Sequence, residues 1–364
     1  MQRIMFNILK ILENREKSLT SAEAARLLGA QGIELSERTI RHYLQLLEEK
    51  GYIEGKSKRG RRLTEKGRQE LNQGFVSERI GLAINRINNL SFLSDFNIDT
   101  GKGKVILNVS YVSEDKAPQA LSLLAKVLDS PYAMSKMMTV TKGGHLIGNL
   151  FVPSGTIGIG TICSITLNGV FLKAGIPVLS RFGGVVEVAN HEAIRFASVI
   201  SYESSSLAPL EIFMKSGMTD VLGTLDSGTG KILGSFREIP EASLDDARKL
   251  NEKMRKLGFT GIIVFGRPGE TLLGIPVSPD KAGMVVLGGL NPFAALEEAK
   301  IPTESRAMAT LAEYEQLKPV EAFQDTLSEG GFQVHRIMKH LNGKQENKQS
   351  NYWSIFSEMQ QRTL

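Results

Sequence analysis

The 364 residues predict a mixed fold, α/β (α+β): a small helical head followed by an internally duplicated α/β domain with pseudo-two-fold symmetry. Three observations carry that expectation. Apolar residues recur at helical spacing through the first fifty positions and give way to a Gly/Lys/Arg-rich hairpin. From about residue 95 the pattern turns to alternating strands and helices rich in glycine. Several short motifs of this second region occur twice, in the same order. The chain divides on this reading into a head at 1–74, a connector helix at 75–94, the duplicated domain at 95–318 and a tail at 319–364.

In the head, Ile4, Ile8, Ile11 and Leu12 lie on one helical face. Thr20-Ser-Ala-Glu23 pairs a hydroxyl at a cap position with a carboxylate three residues on, the pattern of a capping box, and opens a helix over Ser21–Leu28. Ser36 is the expected N-cap of a third helix, which runs to a stop at Gly51. Its face of Ile40, Leu44 and Leu47 is apolar, and Arg38, Arg41, His42 and Gln45 fall away from it. Then come Tyr52-Ile53-Glu54, the basic run Lys56–Arg62, Leu63 and a polar helix over Thr64–Leu71. Three helices and a basic two-stranded hairpin in this order make a winged helix.

Charge supports a nucleic-acid role for this unit. Residues 1–72 hold 15 Lys and Arg against 10 Asp and Glu, and the rest of the chain holds 29 of each sign, so the net charge of +5 sits entirely in the head. A major groove about 12 Å wide admits one helix, and basic side chains on a hairpin neutralise phosphates with release of counterions. Ser36, Arg38, Thr39, Arg41 and His42 are expected at the major groove, and Lys56, Lys58, Arg59, Arg61 and Arg62 along the DNA backbone or minor groove. The alternative is a winged helix used for protein contacts.

The connector, read as a helix over Val76–Leu90, carries Ile80, Ile84, Ile87 and Leu90 on one side. Beyond it, Gly101-Lys-Gly-Lys104 resembles Gly228-Thr-Gly-Lys231, with a helix after each (Pro118–Leu128 and Ser243–Leu257). Leu146-Ile-Gly148 matches Leu272-Leu-Gly274, and Val152 precedes Gly158 by the same interval as Val277 precedes Gly283. Leu167-Asn168-Gly169 is set against Leu290-Asn291-Pro292, and Ile176–Arg181 against Ile301–Arg306. Each copy (about 95–181 and 222–306) reads as strand–helix–strand–strand–helix, with an insertion at 182–221.

Asn168 and Asn291 are expected to cap their helices, whose backbone N–H groups can receive an anion. Arg181 and Arg306 can each grip a carboxylate in a bidentate manner. Together they suggest a site for a small dianionic metabolite; the alternative is simple capping with structural ion pairs. Enzyme chemistry is poorly supplied. The single cysteine, Cys163, excludes an intramolecular disulfide and a multi-cysteine metal site, and it has no activating base among its sequence neighbours. The chain has no Gly-x-Ser-x-Gly elbow and no complete phosphate loop, and no two of its five histidines are four residues apart. No cofactor is expected. Apolar runs such as Gly261–Gly266 and Gly283–Leu290 fall short of the ~20 residues that span a bilayer, and the first residues lack signal-peptide features, which predicts a cytoplasmic protein with no membrane partner.

The stretches GTICSITLNGVFLKAGIPVLSRFGG (Gly160–Gly184), LEIFMKSGMTDV (Leu210–Val221) and GLNPFAALEEAKIPTESRAM (Gly289–Met308) resemble the NrpR family, the nitrogen-regulatory transcriptional repressors of methanogenic archaea and their bacterial relatives. The resemblance covers roughly residues 1–315. It implies a homodimeric repressor that binds a double-stranded DNA operator, senses 2-oxoglutarate and loosens its grip on DNA when the ligand binds. Carried over by position, the effector region falls on Cys163, Ser164, Thr166 and Asn168, with Ser180 and Arg181 nearby. Family members can carry two such regulatory domains, whereas this chain has room for one. A small-acid enzyme using Cys163 and a protein-interaction scaffold are the competing classes.

Overall fold

The computed structural model describes residues 2–13, 18–29, 33, 35–56, 60–73 and 81–324. Contacts divide the chain into two units, 1–80 and 81–364.

The first unit comprises α1 (Gln2–Glu13), α2 (Ser21–Gly29), α3 (Glu37–Glu49), the antiparallel pair β1 (Ile53–Lys56) and β2 (Gly60–Leu63), and α4 (Glu65–Gln73). Local chemistry sets each boundary. Thr20 N–H donates to Glu23 Oε2 at 3.0 Å while Glu23 N–H donates to Thr20 Oγ1 at 3.3 Å, a closed capping box. Ser36 Oγ accepts from Thr39 N–H at 3.2 Å. Gly51, at φ 71°, ends α3 in the left-handed conformation that glycine adopts without a Cβ penalty. Ile8, Leu9, Leu28, Ile40, Leu44 and Leu47 are fully buried and form the core. Leu19 pairs with Arg61 as a third short strand beside the hairpin, with N–H to O distances of 2.8 and 2.9 Å.

The second unit begins with α5 (Leu82–Leu93) and continues through β3 (Lys104–Ser113), α6 (Ala117–Leu128), β4 (Met137–Lys142), the small pair β5 (Leu146–Ile147) and β6 (Leu150–Phe151), β7 (Thr156–Ile162), α7 (Ile165–Lys173) and β8 (Leu179–Ala189). After β9 (Glu192–Ser201), α8 (Pro209–Lys215) and α9 (Val221–Ser227), the pattern recurs. It runs β10 (Gly230–Pro240), α10 (Leu244–Lys256), β11 (Ile262–Pro268), β12 (Lys281–Leu287), α11 (Asn291–Glu298) and β13 (Glu304–Glu313), followed by β14 (Lys318–Pro319) and α12 (Glu321–Gln324).

Each copy therefore ends in one more strand than the sequence pattern suggested. For the first copy that strand, β8, runs eight residues past Arg181 into the segment read as an insertion. The two sheets have the orders β11-β12-β10-β8-β9 and β13-β3-β7-β4-β14, and every pairing is antiparallel. The closing strand of each copy thus pairs with the opening strand of the other: β8 on β10, β13 on β3. The connector helix α5 belongs to this unit, with Ala83 and Ile87 buried beside Ile106, Cys163, Ile165, Tyr202 and Met308.

The repeated glycines have a steric cause. A Cβ on Gly158 would stand 2.7 Å from Val152, and one on Gly283 would stand 2.9 Å from Val277. In both copies the valine of the preceding loop occupies the space that the glycine leaves on its strand.

The structure corrects two details of the repeat. Neither Asn168 nor Asn291 caps its helix: the caps are Ser164 and Leu290, and both asparagines lie inside the helix, buried. The two asparagines are not equivalent either. Beyond the last β10–β12 pair, Gly234 with Leu287, the ladder is continued by the following helix: Leu233 N–H donates to Asn291 Oδ1 at 2.8 Å and Gly288 N–H donates to Leu233 O at 2.8 Å. Beyond Leu107 with Ile162, Ile106 N–H donates to Thr166 Oγ1 at 3.1 Å and Cys163 N–H to Ile106 O at 2.8 Å. The counterpart of Asn291 is therefore Thr166, and the repeat register at this step differs by two residues from the one the motifs suggested.

Candidate functional site

On the first unit, the N-terminal half of α3 presents Ser36, Arg38, Arg41 and His42 as exposed side chains, with Thr39 half-buried. Ser36 and Thr39 form a local pair, their hydroxyls 2.9 Å apart. Arg41 donates to Glu37 at 2.9 Å, and Glu37 also accepts from Ser21 Oγ at 2.9 Å. The Ser21 hydroxyl first, then Arg41, hold the Glu37 carboxyl below its usual range. A surface ion pair of this kind contributes little and is screened by salt, so the Arg41 guanidinium stays available to a stronger anion.

In the hairpin, Arg62 is exposed and Lys56 lies on β1. The expected positions Lys58 and Arg59 fall outside the described residues, as does the side chain of Lys56. Arg61 does not point outward. Strand alternation turns it inward, 6 % exposed, where Nε donates to Glu48 Oε2 at 3.0 Å. It fastens the hairpin to α3 rather than facing a phosphate.

In the second unit the central feature is an arginine the sequence reading passed over. Arg237, on β10, is 0 % exposed. Its guanidinium donates through Nη1 to Ser164 O at 3.0 Å and to Asn168 Oδ1, through Nη2 to Ser164 Oγ at 2.9 Å, and through Nε to Ser235 Oγ at 3.1 Å. Asn168 Nδ2 in turn donates to Ser180 Oγ at 3.1 Å. Ser164, Asn168 and Ser180, named from sequence, are thus gathered in one polar layer between the copies, and Arg237 is its charge.

That charge is uncompensated locally: its hydrogen-bond partners among the described residues are all neutral. Burial pushes the Arg237 guanidinium down to about 10, the neighbouring Tyr202 phenol up to about 12, and the Cys163 thiol up as well, so neither neighbour supplies an anion at neutral pH. A cation held this way costs several kcal/mol in lost hydration, which an incoming anion offsets.

Beside this layer lies a cavity lined by Asn108, Cys163, Ser164, Ile165, Tyr202, Ala307 and Met308, among others. Its enclosed part has room for about one water molecule. Asn108 is 1 % exposed, and its Nδ2 has no hydrogen-bond partner. An unsatisfied buried donor carries a penalty of about 1–3 kcal/mol, relieved by an acceptor placed against it.

The rim opposite Asn108 is irregular. Between Arg306 and Thr310, strand β13 slips its register on β3, so that Ala307–Ala309 stand against Asn108 alone. Met308 has φ 51°. Asn108 Oδ1 accepts from Met308 N–H at 3.0 Å, Glu211 accepts from Ala307 N–H, and Arg86 on α5 donates to Met308 O at 2.8 Å and to Ala309 O at 3.2 Å.

The remaining expected residues lie apart from the cavity. Thr166 and Asn291 serve the strand ladders described above. Arg181 donates to the buried Glu238 at 2.9 Å and to Ser278 Oγ at 2.8 Å, and Arg306 pairs with Glu304 at 2.8 Å on the surface. Both arginines follow the structural ion-pair alternative of the sequence reading. Among the described residues no group of three or more His, Cys, Asp or Glu could hold a metal ion, and no helix is long and apolar enough to cross a membrane.

Residues 80–319 match the family model of the NrpR regulatory domains NRD1 and 2, and residues 6–71 match that of the ribonuclease R winged-helix domain. The chain is 34% identical over 319 residues to the global nitrogen regulator NrpRI of Methanosarcina mazei, covering 88% of this chain and 98% of the relative. It is 28% identical over 317 residues to the global nitrogen regulator NrpR of Methanococcus maripaludis, where it spans 54% of the relative's length. The crystal structure of a nitrogen repressor-like protein from Methanococcus jannaschii superposes with a TM-score of 0.57 at 28% identity, over 65% of this chain and 98% of the other.

Proposed function

The chain belongs to the NrpR family, and from that premise we propose that it is a nitrogen-responsive transcriptional repressor: a homodimer whose winged helix binds operator DNA and whose duplicated domain binds a small dicarboxylate, 2-oxoglutarate, that weakens this binding. The reading rests most on two complementary surfaces. The N-terminal half of α3 offers exposed Arg38, Arg41 and His42, a shape and charge suited to the edges of bases in a major groove. The inter-copy cavity offers an unpaired amide donor, Asn108 Nδ2, and the Ser164 hydroxyl, backed by the buried charge of Arg237. A carboxylate placed there accepts from the first two and lies in the field of the third. The protonated thiol of Cys163 favours this binding role over the rival reading in which that residue attacks a substrate.

A dimer of such heads reads two half-sites about one helical turn apart, or a multiple of that. Fluorescence anisotropy against salt concentration tests the DNA surface. Arg38→Ala and Arg62→Ala are each expected to lower the slope of log affinity against log salt by about one, the signature of one lost phosphate contact or its equivalent. If neither variant alters affinity or slope, the DNA surface lies elsewhere.

Calorimetric titration with 2-oxoglutarate tests the cavity. The intact protein should bind it, and Asn108→Ala and Arg237→Met should each weaken binding on the order of tenfold, the loss expected for one hydrogen bond or charge contact to an anion. Binding that is unchanged in both variants would place the effector in another part of the domain. No heat with the intact protein would remove this ligand.

A further inference from the structure

Three features of the β13 bulge set it apart from the rest of the duplicated domain. It is asymmetric. At the related step of the other copy, β8 slips on β10 by a single residue, between Ser180 and Phe182, whereas β13 loops out Ala307–Ala309. It carries backbone held outside ordinary strand geometry, with Met308 at φ 51°, a conformation that is costly for a side-chain-bearing residue and persists only where the surroundings enforce it. The enforcement comes from three side chains on three elements: Asn108 of β3, Glu211 of α8 and Arg86 of α5.

Arg86 is the informative member. Arg86 is an exposed residue whose guanidinium lies partly under the bulge; that partial burial draws it below the ordinary arginine range, with Glu211 opposing the shift. It spends two donors on the carbonyls of Met308 and Ala309. The residue lies on the first described helix of the second unit, which follows the winged helix in sequence.

The cavity itself supplies the driving force. Its interior has room for about one water molecule, and Ala307 and Met308 form part of its wall. A ligand with several heavy atoms therefore needs part of the lining to move, and besides the bulge that lining includes Tyr202 and Ala208–Leu210. Another part of the lining is central strand and helix start, Asn108 and Cys163–Ile165, tied by the ladder bonds of Ile106 with Cys163 and Thr166. The bulge has no such ladder.

We propose that Ala307–Ala309 is the moving wall of the effector cavity and that Arg86 is the positioning residue that transmits its displacement to α5. Ligand binding shifts the backbone carbonyls that Arg86 holds, and α5 follows or is released. This inference rests on the effector reading given above. A ligand shifts such an equilibrium only through its different affinity for the two arrangements, and here the difference is the space the bulge must vacate.

The experiment uses the full chain and two variants, Arg86→Met, which keeps the apolar stem without the donors, and Arg86→Lys, which keeps the charge but gathers its donors on one nitrogen. Ligand affinity is read by calorimetry with 2-oxoglutarate, operator affinity by anisotropy with and without it, and amide hydrogen exchange is followed in the absence of ligand. Arg86→Met should bind 2-oxoglutarate within about threefold of the intact protein, yet show little ligand-induced change in DNA affinity, and Arg86→Lys should fall between, as expected when coupling free energy rather than binding is removed. A ligand-induced change of full size in Arg86→Met overturns the proposal, and should that variant fail to fold, the same result in Arg86→Lys does so.

If the intact protein does not bind 2-oxoglutarate, that ligand assignment fails and the exchange arm decides the coupling. Faster exchange over both 82–93 and 307–309 in the variants, with altered operator affinity, sustains it. Faster exchange confined to 307–309, with operator affinity unchanged, overturns it.

Discussion

Replacing Asn291 by alanine is expected to destabilise the second unit by about 3 kcal/mol. Its side chain is 0 % exposed and stands where the next rung of the β10–β12 ladder would be, accepting from Leu233 N–H at 2.8 Å. Its amide also donates to Tyr132 O at 3.1 Å and to Leu233 O at 3.3 Å. Removal leaves the Leu233 N–H buried without its acceptor, at a cost of about 1–3 kcal/mol, and takes a donor from each of the Tyr132 and Leu233 carbonyls. Leu233 O keeps the bond from Gly288 N–H. For a domain of this size the loss corresponds to a fall in melting temperature on the order of 10 °C. The counterpart substitution, Thr166→Ala, orphans only Ile106 N–H and should cost about half as much. Thermal and urea unfolding of the two variants measure the ratio. Equal losses would show that the number of orphaned groups does not set the cost at this step.

Substitution of Gly67 by alanine is expected to disable the winged helix while leaving the second unit intact. Gly67 sits in the first turn of α4, its N–H donating to Thr64 Oγ1 at 3.0 Å. A Cβ built on it would stand 1.9 Å from the carbonyl oxygen of Tyr52 and 2.9 Å from Leu63. The nearest atom is backbone, at the start of the hairpin, so relief requires α4 and β1 to separate. Overpacking of this kind costs about 1–3 kcal/mol, and more where the backbone must move. A small unit of some 70 residues has little stability to lose. Operator affinity in anisotropy should fall more than tenfold, while the main thermal transition of the second unit and its ligand heat stay as in the parent. Unaltered DNA binding would mean that the hairpin and α4 tolerate displacement.

Much of the architecture was legible because it is written in local chemistry. The hydroxyl and carboxylate of Thr20 and Glu23, the cap at Ser36 and the stop at Gly51 are decided by neighbours in sequence, and the structure places them as expected. The duplication was legible because the same steric need, a glycine opposite a valine, was met twice by the same residues. What eluded the sequence was pairing across long distances. Order along a chain does not say which strand a closing strand joins, so the exchange of β8 and β13 had no local signal. Chemical likeness drew Asn168 onto Asn291, although a threonine performs the equivalent task in the first copy.

Strand alternation accounts for two arginines, one misplaced by the sequence reading and one absent from it as a candidate. Arg61 was read with its basic neighbours as solvent-facing, though strand alternation sends adjacent residues to opposite faces. Arg237 sits in Leu233-Gly-Ser235-Phe-Arg237, where Leu233, Ser235 and Arg237 share one face of a central strand. A charge at that spacing within an apolar run was the available signal. Ser164, Asn168 and Ser180 were found without the group that binds them.

The crossing of closing strands has a consequence for how this domain is made and lost. Neither half possesses a complete sheet of its own, so a fragment ending after β9 and one beginning at β10 should each be poorly folded when expressed alone and should reconstitute when mixed. Melting one half strips a partner from the other, which makes the pair collapse together rather than in sequence. The same handclasp would serve two separate copies of a chain half as long, each lending its last strand to its neighbour, and the present molecule is what such a pair becomes once a linker joins them.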